Sequence, residues 1–593
     1  MIGTYAAVVA ICAASLAIGQ VAIGLCGVRR GSWLAPAVGL ALLCAVCWGT
    51  VRLPGDGVVS ALAVLVLTIA AVAYLWGRVE GTRDALATGW PVALGALLAT
   101  ALPFIAEGHF GILGTSFNPD MSQHLLAADR LAEGNSSQLL VQGYPLGPHA
   151  IVVALNKGLG IGLVQGFTGL TIAVAVLASL TAVAALRELP ILPRTAGALL
   201  IGLAYLVASY FAQGAFKETM QALYLLAFVL AIRETQRTWT DLPLRFVPAA
   251  LIAVGSIYTY SFPALIWLGA ALVLWSLATL ISAAGGDDRE DSPGRGSPRS
   301  ETGPAARQLG LAFLLFFVLV APELGRMIDF HSFETFDPNG PGLGNLFGQI
   351  SPFTALGIWP SGDFRLAPGD GAVPAAAYYL GIAFALALFA YGLLWLWRRR
   401  ETAILSGLAA AALAYAAARL AGTPYTAAKA LEIGAPLVAL AILLSLLTEA
   451  CRFPLGMREQ SDSRGLLPPV AAALFVLAAG VCSLLALANA PVGPTSYSSE
   501  LSEYRKLVGE GPTLVLASPQ LLEEEHGEPF LAWELRGGRV CIKSTDDPSV
   551  PPGVRFVVRN EDGWTLTRVK HPPPGKSPCP LIAVRQARQG PAR

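Results

Sequence analysis

Long windows without a charged side chain limit what this chain can fold into. Val58–Trp76, Ile161–Leu186 and Leu466–Ala490 each contain 19 or more residues with no Asp, Glu, Lys or Arg. A helix of that length crosses a hydrocarbon core about 30 Å thick, and in lipid the backbone amides must be satisfied by the segment itself or by a closed barrel. Only 13% of the 593 residues are charged, against about a quarter in soluble chains. The sequence therefore predicts an all-α polytopic membrane bundle, and the absence of a strongly basic block argues against nucleic acid as a partner.

Hydropathy predicts about fourteen membrane spans. The first, Thr4–Val28, is too long for the apolar region of a signal peptide and is followed by Arg29 and Arg30, so we expect it to be an uncleaved span. We place the spans at approximately 4–28, 33–51, 58–77, 87–106, 161–186, 195–213, 218–235, 246–261, 263–283, 309–322, 374–397, 402–420, 428–448 and 466–490.

The distribution of basic residues predicts the orientation in a cell membrane. Every second loop is rich in Arg, as at Arg398–Arg400, whereas the intervening loops hold few basic residues. Because cytoplasmic loops carry the excess of Lys and Arg, we expect both termini and the large loops 107–149 and 323–373 to lie outside. The charged Gly/Pro/Ser-rich segment 285–307 would then be a disordered cytoplasmic linker.

Composition divides the chain into three parts: 1–86, a transmembrane core 87–490, and a small extracytoplasmic α+β domain 491–593. In the last part Ser499–Val508 predicts a helix, and four short apolar or alternating runs between turn residues predict strands. Cys541 and Cys579 are in this domain and could pair if it lies outside the cell. The predicted strands are Thr513–Ala517, Arg539–Lys543, Val554–Val558 and Leu581–Val584.

The first large loop contains an acidic motif ahead of an amphipathic run. Asn118 is a suitable N-cap with Pro119 at the first helical position, which would place Asp120 in the first turn. Apolar residues at helical spacing over 125–131 favour a helix along the membrane surface, with Asp120 and His124 one turn apart on one face. The two side chains either act on a substrate, or Asp120 only stabilises the helix terminus and His124 is a surface residue.

The second large loop has a high density of acidic and histidine side chains. Glu323 directly follows the tenth predicted span, and the loop then continues with further candidates. Such a set could bind a divalent cation or sugar hydroxyls, or it could be an ordinary hydrated loop, and its spacing matches no zinc motif. The further candidates are Asp329, His331, Glu334 and Asp337.

Several stretches resemble the GT-C superfamily of membrane glycosyltransferases, which use polyprenyl-phosphate-linked sugars as donors. One is the acidic residue at the start of a short helix in the first outer loop, here Asp120. Gln142–His149 (QGYPLGPH), Gln213–Glu218 (QGAFKE) and Pro424–Ala430 (PYTAAKA) are similar to actinobacterial, arabinofuranosyltransferase-like members, and an appended outer domain also fits. Many members have two adjacent acids in the loop where this chain has one, and the spans within 1–86 are extra relative to a minimal core.

The resemblance implies an inverting sugar transfer from a polyprenyl-phosphate donor to a cell-envelope glycan or glycolipid. Asp120 would be the general base, with His124 beside it. Lys217, Lys429 and Arg326, all near outer helix ends, would hold the donor phosphate, and we expect the two lysines to converge on it. Each basic residue could instead extend to lipid headgroups, and Lys217 could form a local pair with Glu218. The candidates for substrate contact are Tyr144, His149, Glu218, Glu323 and Tyr425.

Two other classes of function remain open at this point. A transporter or flippase of lipid-linked sugars would usually have repeated halves and charged helices at mid-membrane, whereas polar groups here concentrate in the outer loops. A non-catalytic scaffold for envelope assembly would display the C-terminal domain and would tolerate loss of Asp120.

Overall fold

The computed structural model describes residues 1–115, 117, 118, 120–135, 137–284, 299–330, 342–452, 467–494, 499–523, 527–560 and 563–580. A helical bundle forms most of the described chain. Its helices are α1 Ile2–Leu25, α2 Ala35–Thr50, α3 Asp56–Leu75, α4 Thr82–Thr100, α5 Leu102–Ala106, α6 Met121–Ala132, α7 Gln138–Val141, α8 Gly147–Leu159, α9 Leu163–Leu186, α10 Ile191–Gly202, α11 Tyr205–Ala212, α12 Phe216–Arg237, α13 Val247–Tyr260, α14 Ala264–Ala284, α15 Arg299–Val320, α16 Leu324–Phe330, α17 Ala375–Arg398, α18 Thr402–Ala421, α19 Pro424–Arg452 and α20 Leu467–Ala488.

Within the described residues, ten helices are long and apolar enough to cross a membrane, or up to eleven if the pair α10 and α11, bent by 53°, is one span. Each of the fourteen predicted spans coincides with a helix or a broken helix, but the count of fourteen is not confirmed. Helices α2 and α13 are shorter, and α12 carries five charged residues, Lys217, Glu218, Arg233, Glu234 and Arg237.

Helices α9, α12 and α19 form the centre of the bundle, and most of their side chains are buried. By contrast, α3, α15 and α17 expose most of their apolar surface. On α3, for example, Leu62, Val66 and Ile69 are more than half exposed. Because an apolar helix must bury its surface in protein or lipid, these outer helices belong against the hydrocarbon core.

The N-terminal helices pack into this bundle. Helix α1 contacts α9, and α2 contacts α13 and α8, with Trp48 of α2 almost fully buried. The predicted linker 285–307 extends into α15, which begins at Arg299, and its earlier part lies outside the described residues.

The C-terminal part is a small α+β unit. Its sheet has the order β4-β3-β5-β6, with β3 parallel to β4 and to β5, and with β5 antiparallel to β6. Cys541 and Cys579 form a disulfide, which realises the pairing left open above. The elements are α21 Ser499–Glu503, α22 Arg505–Gly509, β3 Thr513–Ala517, α23 Pro519–Glu523, α24 Gly527–Glu534, β4 Val540–Ser544, β5 Phe556–Asn560 and β6 Trp564–Arg568.

Three of the predicted strands are found within two residues of their expected positions, and the fourth, Leu581–Val584, lies outside the described residues. The predicted helix Ser499–Val508 is interrupted at Tyr504 and forms α21 and α22. Strand β6 was not predicted, although Trp564, Leu566 and the threonines between and after them alternate in polarity, which is the period of a half-buried strand.

A two-stranded pairing joins the first outer loop to the segment that follows α20. Strand β1, Ile112–Leu113 in the first outer loop, pairs antiparallel with β2, Val492–Gly493, just after α20. The amide of Gly493 also donates to the hydroxyl of Thr115 at 3.1 Å. The loop that carries Asp120 is therefore held by the segment that leads into the C-terminal domain.

Candidate functional site

A cavity of about 620 Å³ lies at the end of the bundle that the charge pattern predicts to be outside. Its walls come from the first outer loop, the junction of α11 and α12, the start of α14, residues of the second large loop, and the outer ends of α18 and α19. Seven of the predicted site residues line it: Asp120, His124, Tyr144, Lys217, Glu218, Tyr425 and Lys429.

Asp120 stands immediately before α6. The backbone amide of Asp120 donates to Oδ1 of Asn118 at 3.0 Å, a local side-chain turn of the kind that Asn favours. The helix begins at Met121, so Asp120 occupies the position before the helix, and its side chain makes no capping hydrogen bond. The predicted start at Pro119, which lies outside the described residues, was early by about two residues, a usual error for helix ends.

Helix α6 is largely buried by other parts of the protein, and its predicted position along the membrane surface stays a prediction. Nine of its residues are buried, including Leu125 and Ala128, because α8 and, from the C-terminal domain, α24 pack against it. Arg536 of that domain forms an ion pair with Asp129 at 3.1 Å. His124 is only 8% exposed, so the alternative of a surface histidine does not hold.

His124 and His149 form a buried pair. Nδ1 of His124 lies 3.1 Å from Nε2 of His149, and the rings of Phe167 and Phe216 pack around both. Burial, together with the imidazole of His149 and the ammonium groups of Lys217 and Lys429, holds the pKa of His124 well below its usual value. Burial alone lowers the pKa of His149 to about 3.

The two imidazoles are therefore neutral at physiological pH, and one must donate to the other. This arrangement fixes the ring of His124 beside the cavity but gives it no positive charge. His149 is fully buried and does not line the cavity, so its position does not support the predicted contact with substrate.

Lys217 is positioned by a tight turn before α12. Gly214 has a φ of +70°, and a Cβ there would lie 2.6 Å from the carbonyl oxygen of Leu113, so the turn requires glycine. The ammonium of Lys217 lies 3.9 Å from the centroid of the Tyr144 ring. Among the described residues, no carboxylate oxygen lies within 4.0 Å of it, so the local pair with Glu218 is not formed.

Glu218 instead pairs with Lys429. The distance from Nζ of Lys429 to Oε1 of Glu218 is 2.9 Å, and the side chains are 13% and 6% exposed. The same ammonium lies 4.2 Å from the centroid of the Tyr425 ring. The cavity therefore contains one ammonium paired with a carboxylate, that of Lys429, and a second, that of Lys217, which lies against an aromatic ring and has no carboxylate oxygen within 4.0 Å among the described residues.

Arg326 and Glu323 lie outside the cavity lining. Nε of Arg326 is 3.2 Å from Oε2 of Glu323, and Arg52 approaches Oε1 of the same carboxylate at 3.3 Å. The indole of Trp48 donates to Glu323 as well. Their position does not support direct contact with a donor phosphate in the cavity for Arg326, or with substrate for Glu323.

The rest of the acidic second loop is only partly described. Asp329 is in α16, whereas His331, Glu334 and Asp337 lie outside the described residues. Within the described ranges, no group of three or more His, Cys, Asp or Glu side chains is arranged to hold a metal ion.

One wall of the cavity is apolar. Ala414, Ala417, Ala418 and Ala421 recur at helical spacing on one face of α18 and line the cavity together with residues of α14. Ile266 of α14 is 53% exposed although it lines the cavity. The cavity is therefore open at this wall, between two helices whose outer surfaces are apolar.

Sequence reasoning missed several polar residues around the cavity. Glu432, one turn beyond Lys429 on α19, is fully buried, and neither carboxylate oxygen has a hydrogen-bond partner among the described residues. The sequence did indicate Glu432, because an acidic residue inside an apolar membrane span is unusual and often functional. Gln213, the first residue of the QGAFKE stretch, hydrogen-bonds to Asn345 at the cavity, but the neutral amide of Asn345 carried no such signal.

Comparison with known proteins gives only distant matches. No family model and no curated protein sequence matches the chain. The fold is similar to a cryo-EM structure of the arabinofuranosyltransferase AftD from mycobacteria, with a TM-score of 0.49 and 16% identity over 80% of this chain and 35% of that protein. It is also similar to the archaeal oligosaccharyltransferase AglB from Archaeoglobus fulgidus, with a TM-score of 0.39 and 12% identity over 80% of this chain and 69% of AglB.

The chain thus spans about a third of the length of AftD. Glycosyltransferases of the GT-C type are among the solved structures that it is similar to, as the sequence resemblance led us to expect.

Proposed function

We propose that this protein is a GT-C-type membrane glycosyltransferase that moves a sugar from a polyprenyl-phosphate donor to a cell-envelope glycan or glycolipid on the outer face. The observation that carries the proposal is that one cavity combines the Asp120 carboxylate, the Lys217 ammonium and an apolar wall open at its edge. These are the groups that the reaction needs: a base, a cation for the leaving phosphate, and a path for a lipid chain.

In the proposed reaction, Asp120 removes the proton of the acceptor hydroxyl. The acceptor oxygen then forms a bond to the anomeric carbon as the bond from that carbon to the phosphate oxygen breaks, with inversion. Polyprenyl phosphate leaves with the bonding electron pair. The charge that develops on it is stabilised by Lys217, which has no carboxylate partner within 4.0 Å among the described residues.

Lys429 takes a different part in this proposal. Because it is already paired with Glu218, it adds little net charge to the cavity. A phosphate that approached it would have to compete with the carboxylate. We therefore assign the donor phosphate first to Lys217, with Lys429 and Tyr425 as the adjacent wall.

The substitution Asp120→Asn tests the base. It keeps the size of the side chain and removes the proton acceptor, so we expect transfer to fall by about 10²- to 10⁴-fold with no change in thermal unfolding. Transfer would be measured in membranes supplied with labelled polyprenyl-phosphate sugars, beginning with the arabinofuranose donor.

Glu133→Gln is a matched control, because Glu133 is an exposed acid at the other end of α6 and does not line the cavity. We expect it to retain full transfer. Full transfer by Asp120→Asn would refute the assignment of Asp120 as the general base.

One observation favours a flippase of lipid-linked sugars as a second candidate. Glu432 is a buried acid within a membrane helix below the cavity, and such residues often mark transport pathways. Fluorescent polyprenyl-phosphate sugar in proteoliposomes separates the two, since a flippase would move it across the bilayer without an acceptor and independently of Asp120.

A further inference from the structure

We propose that Arg326 is a positioning residue that fixes the ring of Tyr144 under the ammonium of Lys217, and so holds that cation at the place of the donor phosphate. The last clause rests on the function proposed above. The assignment to Tyr144 and Lys217 rests on contacts in the structure alone, and it gives Arg326 an indirect role instead of the direct phosphate contact expected from the sequence.

The guanidinium of Arg326 binds the backbone of the Tyr144 loop at two points. One terminal nitrogen donates to the carbonyl oxygen of Leu140 at 2.9 Å, and the other donates to the carbonyl oxygen of Tyr144 at 2.6 Å. These two bonds span the turn after α7. They fix the backbone from which the aromatic ring projects into the cavity.

Arg326 is itself held from the opposite side. Its Nε faces Glu323 at 3.2 Å, and that carboxylate is fixed by Arg52 and by the indole of Trp48. The Trp48 ring also lies 4.8 Å below the guanidinium carbon of Arg326. With Glu323 only 6% exposed, this cluster is a rigid support that connects the end of α2 to the Tyr144 loop.

The backbone contact between the two segments is close. Gly143 has a φ of +71°, and a Cβ at this position would lie 2.2 Å from the carbonyl oxygen of Arg326 and 2.8 Å from the amide nitrogen of Phe330. No side chain fits there without moving one segment. The Tyr144 ring then packs edge-on against Phe330, with 5.7 Å between centroids.

The connection ends at Lys217. A lysine has a flexible stem, and its ammonium would otherwise be free to move toward water or headgroups. The ring of Tyr144, 3.9 Å away, holds it through a cation–π contact. A displaced Tyr144 loop would therefore release the ammonium without altering Lys217 itself.

The first test measures the position of Lys217 without reference to activity. The rate at which an amine-reactive reagent labels Lys217 is followed by mass spectrometry in the intact protein. We expect Arg326→Gln and Tyr144→Leu to raise this labelling rate several-fold. Tyr144→Phe, which keeps the aromatic ring, should label at the wild-type rate. An unchanged rate in Arg326→Gln would overturn the proposal.

Arg365→Gln is the matched control for this test. Arg365 is also a buried arginine near the cavity, but it pairs with Asp363 at 2.7 Å and lies over the ring of Phe117. We expect its substitution to leave the labelling of Lys217 unchanged. A rise equal to that in Arg326→Gln would mean that the loss of any buried arginine loosens the site, and would overturn a specific positioning role.

The second test is a double-mutant cycle with farnesyl phosphate as the probe of phosphate binding. We expect Lys217→Gln to weaken binding, and Arg326→Gln to weaken it by about two- to thirty-fold, the range of a cation–π contact. In the Lys217→Gln background, Arg326→Gln should have no further effect.

If the two effects multiply, Arg326 acts on phosphate binding independently of Lys217 and the positioning role is wrong. If Lys217→Gln leaves binding unchanged, the proposed phosphate site fails. The labelling rates still decide whether Arg326 positions Lys217, so the two failures are distinguishable.

Discussion

The ion pair between Glu218 and Lys429 gives the sharpest prediction about the stability of the bundle. Glu218→Gln would leave the ammonium of Lys429, 13% exposed, without its partner at 2.9 Å. Removing one member of a buried pair costs about 3–5 kcal/mol. The ring of Tyr425 remains 4.2 Å away, and Glu432 offers a second carboxylate one turn along α19, so we expect the lower end, about 3 kcal/mol.

Thermal unfolding of the purified protein in detergent, followed by intrinsic fluorescence, would measure this loss. The double variant Glu218→Gln, Lys429→Met removes both charges and should recover most of the stability, because no uncompensated charge is left inside the bundle. Asp547→Asn is the matched control. Its partner Lys543 is also 2.9 Å away, but the pair is exposed, so we expect no measurable shift.

Two results would refute this reasoning. If Glu218→Gln unfolds at the wild-type temperature, the pair contributes nothing and Lys429 is available to a ligand. If the double variant is no more stable than Glu218→Gln, the loss comes from packing instead of an unpaired charge.

Three further predictions concern pH, topology and domain docking. The pKa of His149 is lowered to about 3 from 6.5, so between these pH values the unfolded chain binds more protons than the folded chain. The free energy of unfolding should therefore rise with pH across this window by up to about 1.4 kcal/mol per pH unit. His149→Gln should flatten this pH dependence in thermal unfolding, and an unchanged slope would contradict a neutral buried imidazole. The exposed thiol of Cys451 should react with an impermeant maleimide only after permeabilisation, whereas Asp546→Cys should react in intact cells; the reverse pattern would invert the predicted orientation. Asp129→Asn removes the ion-pair partner of Arg536 and so weakens the contact between α6 and the C-terminal domain. We expect limited proteolysis of that domain to be faster in the variant, and equal cleavage rates in variant and wild type would contradict this prediction.

Hydropathy was a reliable guide to the bundle because apolar length and helix formation are coupled in a membrane. Every predicted range corresponds to helical structure, and the misjudged cases are informative. The predicted span 195–213 is in fact two helices, α10 and α11, with a bend between Gly202 and Tyr205. Hydropathy did not reveal this break, because a bend does not change the apolar character of the residues. Helix α12 carries five charged residues, Lys217 and Glu218 at one end and Arg233, Glu234 and Arg237 at the other, and is buried by neighbouring helices instead of lipid.

The site was predictable as a set of residues but not as a set of partners. Lys217 and Lys429 could be selected because basic groups at outer helix ends are unusual, and Asp120 because the acidic start of a short helix in the first outer loop resembles the GT-C pattern. The pairing of Glu218 with Lys429 depends on how α12 meets α19, and the burial of α6 depends on α24, so neither can be derived from local spacing. Glu432 was not predicted because most charged and aromatic candidates lie in the outer loops, and a single acid within a span has no neighbouring motif in the sequence.

The pairing of β1 with β2 has a consequence for how the protein is made. The amide of Gly493 donates to the hydroxyl of Thr115, 378 positions earlier in the sequence. The loop that carries Asp120 is therefore synthesised well before the segment that pairs with it. At about 5–20 residues per second, that interval is on the order of 20–75 s. During it the early helices are already inserted, while the loop before α6 is exposed on its own. The loop before α6 thus gains this support late, and a chain that stalls before Pro491 would be inserted in the membrane without the strand that pairs with β1.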